Sequence, residues 1–101
     1  MYVRGGYNVY PAEVENVLTS HPHVVLAAVI GVPDETYGEV GVAFVVLDDA
    51  VDVTELRALC AEQLARYKQP GEIVVVDSLP LTPSGKIKKA DIKKSHLSSA
   101  G

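Results

Sequence analysis

Two β-branched apolar runs constrain this chain more than anything else in it. They are Val24 to Val32 (VVLAAVIGV) and Val40 to Leu47 (VGVAFVVL). The first does not alternate apolar with polar residues, so it reads as a strand buried on both faces or nearly so. Between the runs lies a polar turn, Pro33-Asp34-Glu35-Thr36-Tyr37-Gly38. A link of about six residues most simply joins an antiparallel pair, because a parallel return needs a crossover of a dozen or more.

The flanking segments have helical spacing. Pro11 suits the first turn of a helix, and Glu13 and Glu15 favour its positive N-terminal end. Val14, Val17 and Leu18 share a face, which predicts a helix over Pro11–Ser20 that His21-Pro22-His23 ends as a surface turn. Asp48-Asp49 closes the second apolar run. Asp52 and Glu55 have capping-box spacing with Asp in the Ser/Thr role. Leu56, Leu59, Cys60, Leu64 and Tyr67 then predict a helix over Val53–Tyr67, stopped by Lys68-Gln69-Pro70-Gly71. Cys60 lies on the apolar stripe and reads as a small buried hydrophobe. Ile73 to Asp77 (IVVVD) is a third short strand. Lys88 to about His96 reads as a final helix, and Ser98 to Gly101 as a frayed tail. Residues 2–4 suit a short strand that Gly5-Gly6 breaks.

The resulting class is α+β: a small two-layer domain with a three-stranded, at least partly antiparallel sheet and flanking helices, plus a short N-terminal strand or hairpin. The β-α-β-β-α-β order suits a ferredoxin-like sheet if residues 2–4 pair with the others. Their shortness and the two glycines argue against pairing, and a separate small hairpin fits as well.

At 101 residues the chain is one domain, and no apolar run reaches membrane-spanning length. The first residues, Met1-Tyr2-Val3-Arg4-Gly5-Gly6, lack the apolar segment of a signal peptide. One cysteine excludes an internal disulfide and fits a reducing compartment, so a cytoplasmic location is expected. No Cys/His cluster points to a metal. Charge is uneven: four basic and twelve acidic residues precede position 80, and five lysines against Asp91 alone follow it. An acidic body with no aromatic after Tyr67 is a poor nucleic-acid binder. Lys88, Lys89, Lys93 and Lys94 read as a solvated helix face.

One stretch stands out chemically: Leu79-Pro80-Leu81-Thr82-Pro83-Ser84-Gly85-Lys86-Ile87. Two prolines stiffen it, and Gly85 permits a backbone angle other residues resist. Such a loop can deliver Lys86 to a defined place. It is not a phosphate loop, because Pro80 and Ile87 stand where that motif needs a glycine and a hydroxyl. No Ser/His/Asp or Cys/His set accompanies it. A single held cation can stabilise charge developing on a substrate that something else binds.

Three separated motifs resemble one family. Gly5-Gly6-Tyr7-Asn8-Val9-Tyr10-Pro11-Ala12-Glu13-Val14-Glu15, Tyr67-Lys68-Gln69-Pro70, and Val76 through Pro80 into Thr82-Pro83-Ser84-Gly85-Lys86-Ile87 are similar to the C-terminal domain of adenylate-forming enzymes. These are the acyl-CoA synthetases, luciferases and peptide-synthetase adenylation domains, and the first motif is most similar to fatty acyl-CoA ligases. The resemblance spans residues 1 to about 95. It implies a lid that works with its own N-terminal adenylation domain, on ATP, coenzyme A and a fatty acid, with Mg2+ bound mainly through that other domain. Lys86 is then the catalytic residue of adenylate formation, supported by Pro80, Thr82, Ser84 and Gly85. Arg4, Gly5, Gly6, Tyr7 and Asn8 form the loop that faces the coenzyme A side after the lid reorients. The upstream hinge residue of the family is missing, and so is the N-terminal domain; by itself the chain is expected to be inactive. Two other readings remain open: a non-catalytic α+β binding module with a basic C-terminal helix, and a ligase lid that serves an acyl carrier protein.

Overall fold

A computed structural model describes residues 1–97 in full and the backbone of 98–100. The two apolar runs form the central hairpin, β3 (Val24–Asp34) and β4 (Gly38–Leu47), antiparallel from Val24↔Leu47 to Asp34↔Gly38. The strands extend into the expected polar turn, leaving only Glu35–Tyr37 between them. The Asp34 carboxylate closes that turn by accepting the N–H groups of Thr36 at 3.0 Å and Tyr37 at 2.9 Å. Gly38 supplies a φ of +83°.

Helix α1 (Pro11–Thr19) and helix α2 (Val53–Gln63) cover one face of the hairpin. Their Val14, Leu18, Leu56 and Cys60 meet Ala27, Val29, Ala43 and Val45 in one core. The alternate strand residues, Ala28, Ile30, Val32, Val42 and Phe44, face the other way. There they meet Leu79 and Ile92, the latter from α3 (Lys89–Ala100). Burial on both faces explains the unbroken apolar run of β3. It also adds a partial third layer to the two that were expected. Burial pushes the Cys60 thiol up, opposed by Arg57, as suits an inert core cysteine.

Strand β5 (Glu72–Val75) is parallel to β4, from Val42↔Glu72 to Val45↔Val75. It is shorter than the run Ile73–Asp77 suggests. At the N-terminus β1 (Tyr2–Arg4) and β2 (Tyr7–Val9) form a hairpin. That hairpin does not stand apart: β1 joins β4 through Arg4↔Gly38, completing a five-stranded sheet. What holds it is Tyr2, 2% exposed. Its ring fills a notch left by the cross-strand pair Gly31↔Gly41, where a Cβ on either glycine would collide with it.

Three local expectations are corrected. Helix α2 stops at Gln63 rather than Tyr67, because Leu64 is extended (φ −122°, ψ 142°) and its carbonyl accepts the Gln69 side-chain amide at 3.2 Å. A single tight turn, Arg66–Lys68, follows. Leu64 still reaches the core, so its apolar spacing was a packing signal rather than a helical one. The capping box is only half made. Asp52 accepts from Thr54 N–H at 2.9 Å and Thr54 Oγ1 at 2.7 Å, while the Glu55 carboxylate turns away to His21. The His21-Pro22-His23 turn is therefore tied down, with His23 Nδ1 also 2.9 Å from Asp48. Helix α3, expected to end near His96, runs on to Ala100, so the expected frayed tail from Ser98 is helical backbone as far as Ala100, and Gly101 lies outside the described residues.

Candidate functional site

The lysine stretch is a closed loop between β5 and α3. Its stem is an antiparallel bridge between Leu81 and Ile87, backed by Lys88 N–H donating to Pro80 O at 2.8 Å. Thr82 organises the tip. Its N–H donates to Lys86 O at 2.7 Å and its carbonyl accepts from Gly85 N–H at 2.9 Å. Its hydroxyl accepts from Lys86 N–H at 3.0 Å and lies 3.0 Å from Ser84 Oγ. Gly85 takes φ +88°, with open space where a Cβ would stand, so its need for glycine is purely conformational. Leu79 anchors the loop in the second core.

Lys86 is exposed at the tip and makes no ion pair among the described residues. The other lysines do not all share that freedom. Lys68 binds Glu13 at 2.9 Å, which raises its pKa. Lys89 binds Glu15 at 2.7 Å, so it is a structural partner and not part of a purely solvated face.

The N-terminal loop has its own geometry. Gly5 (φ +56°) and Gly6 (φ +86°) are the two central residues of a type I′ turn joining β1 to β2. Gly5 N–H donates to Tyr37 O at 2.8 Å. The Arg4 guanidinium lies 4.5 Å over the Tyr37 ring and donates to Arg66 O at 3.1 Å. Tyr7 stacks on Tyr67 with centroids 4.7 Å apart. Together Arg4, Gly5, Tyr7, Tyr37, Arg66 and Tyr67 line a cleft of about 330 Å³. Aromatic faces beside two guanidinium groups suit a flat or anionic ligand. Asn8 is exposed on β2, opposite Val3.

Arg4, Gly5 and Tyr7 are thus brought together, and Pro80, Thr82, Ser84 and Gly85 gather around the Lys86 backbone. The two sets do not share a pocket among the described residues. Tyr37 and Arg66 were not foreseen as site residues; only the Tyr67-Lys68-Gln69-Pro70 motif hinted at that wall. No group of three metal-ligating side chains occurs among the described residues, and no described helix is long and apolar enough to cross a membrane.

Known proteins are similar to this chain in sequence and fold. The family described as AMP-binding enzyme C-terminal domain matches residues 13–86. A 2-succinylbenzoate–CoA ligase of Listeria monocytogenes is 44% identical over 96 residues, covering 95% of this chain and 21% of the relative. A propanoyl:CoA ligase of Rhodococcus jostii, specific by name for a methyl-dioxo-octahydroindenyl acid, is 54% identical over 91 residues, covering 88% and 18%. Among solved structures, Mycobacterium tuberculosis fatty acyl CoA synthetase superimposes with a TM-score of 0.92 at 40% identity, covering 98% of this chain and 20% of that one. The chain therefore spans about a fifth of the length of the relatives it matches.

Proposed function

This chain belongs to the AMP-binding enzyme C-terminal domain family, and from that premise we propose that it is the mobile lid of an ATP-dependent, AMP-forming acyl-CoA ligase. In that reaction a carboxylate attacks the α-phosphate of ATP, giving an acyl-adenylate and pyrophosphate. The thiol of coenzyme A then attacks the acyl carbon and AMP leaves. The N-terminal adenylation domain would hold ATP, Mg2+ and the acid, in the cytoplasm.

Lys86 is assigned to the first step. The observation that carries this is the loop itself: four hydrogen bonds and two prolines fix its backbone, and the cation at its tip, Lys86, has no ion-pair partner among the described residues. A preorganised cation of this kind offsets charge gathering between the α-phosphate and the carboxylate, and losing such a donor costs about 2.7–4 kcal/mol. For the second step the lid turns. The Gly5-Gly6 turn, with no Cβ on either residue, then lines the thiol path, and the neighbouring tyrosines and arginines flank the coenzyme A side. A fatty acid is the proposed substrate class. The relatives named above act on dissimilar acids, which fits an acyl pocket built by the other domain.

The test separates the half-reactions in the full-length ligase. Lys86→Ala is expected to reduce acyl-adenylate formation by roughly 10²–10³-fold. Thioester formation from supplied acyl-adenylate should stay near wild type. An equal loss in both half-reactions, with the fold intact, would refute the assignment.

A further inference from the structure

The residue that follows the stem of the Lys86 loop, Lys89, is tied to α1, a helix on the far face of the sheet. Glu15 of α1 lies beside the outer edge of β3. Its Oε2 accepts the Val29 N–H at 2.8 Å, an edge group that points away from β4. The same oxygen lies 2.7 Å from Lys89 Nζ, on the first turn of α3. The Glu15 side chain is only 19% exposed and is fixed by the strand, so its carboxylate is a preset anchor. Lys89 stands three residues after Lys86. Between them run Ile87, which pairs with Leu81, and Lys88, which donates to Pro80 O. Lys89 N–H itself donates to Ile87 O at 3.1 Å.

We propose that the Glu15–Lys89 ion pair is a positioning device for Lys86. It pins the return arm of the loop to β3 and to α1, and α1 is the direct continuation of the Gly5–Val9 hairpin. The pair so fixes the lysine loop to the same rigid body as the glycine turn. Its contribution to global stability is small, since half-exposed ion pairs stabilise little. Its effect is on placement, where a displacement of about 1 Å can cost about 10²-fold in rate. This inference rests on the reading of Lys86 as the adenylation residue.

The experiment uses the full-length ligase with Lys89→Met, Lys89→Arg and Lys94→Met, and Lys86→Ala alongside. Lys94 is exposed on α3 and makes no ion pair among the described residues. Lys89→Met is expected to lower kcat of adenylation roughly tenfold, with KM for ATP little changed. Thioester formation from supplied adenylate should hold. Hydrogen exchange at the Gly85, Lys86 and Lys88 amides should quicken, because their bonds close the loop. Lys89→Arg should restore both readouts, and Lys94→Met should disturb neither. Unchanged adenylation, unchanged loop exchange, or a matched fall in both half-reactions with a lower Tm would each overturn the proposal. If Lys86→Ala leaves adenylation intact, the reading of Lys86 fails separately, and loop exchange still reports whether Lys89 holds the loop.

Discussion

Tyr2 shows how a single residue attaches a strand. Its ring covers Gly31 and Gly41, and its hydroxyl is buried without a hydrogen-bond partner. Burial pushes the phenol up to about 12, with Arg4 opposing and Glu39 adding. The folded pKa is raised, so the associated stability is whole below the unfolded value of 10.0 and is lost as pH rises towards 12. The stability at stake is on the order of 3 kcal/mol at most. Tyr2→Phe removes both the titration and an unpaired buried oxygen. It should be at least as stable as wild type at neutral pH and lose less stability in alkali, as read by urea denaturation across that range. A loss above about 1 kcal/mol at neutral pH would show that the hydroxyl has a partner after all. None of this is visible in local sequence. Residues 2–4 look too short to join a sheet because their partners lie about 30 and 40 residues away, in a pair of glycines that alone read as weak strand residues.

At the scale of elements, the sequence was readable wherever burial has a period. The β3–β4 hairpin and β5 follow from unbroken apolar runs and α1 from helical spacing, because each buries its apolar residues in the cores that flank the sheet. Reading failed where a side chain replaced a backbone rule. Gln69 caps Leu64 and ends α2 early, and Glu55 leaves the capping box for His21. It failed again at the cleft, where Tyr37 from the β3–β4 turn meets Arg66 and Tyr67 from the Arg66–Lys68 turn. Helix α1 deserves a direct test, since it carries Glu15 and continues the glycine motif. Leu18 is 0% exposed and, with Val14, seats α1 on the sheet. Leu18→Ala should destabilise the domain by about 2–5 kcal/mol, measured by urea denaturation. Against typical stabilities of about 5–15 kcal/mol, that is enough to populate unfolded chains. Lys86→Ala, on an exposed tip, should move the same midpoint little.

At the scale of the whole molecule, the two loops occupy different places on one body, and no described pocket is lined by both. If the two loops serve different steps at one active site, the body must turn between those steps, which is the physical content of the proposed alternation. The proposal therefore requires two opposite mutational signatures from one domain. Lys86→Ala supplies the first. The second comes from Gly6, where φ is +86° and an added Cβ would meet nothing within 4 Å. Gly6→Asn should fold with a small loss, because Asn tolerates this left-handed backbone better than other side chains. In the full-length ligase its side chain would then intrude on the thiol path. Thioester formation from supplied adenylate should fall, with KM for coenzyme A raised, while adenylate formation stays near wild type. If Gly6→Asn instead slowed adenylation and spared thioester formation, the two loops would serve the same step. A fixed lid would then account for the chemistry without any rotation.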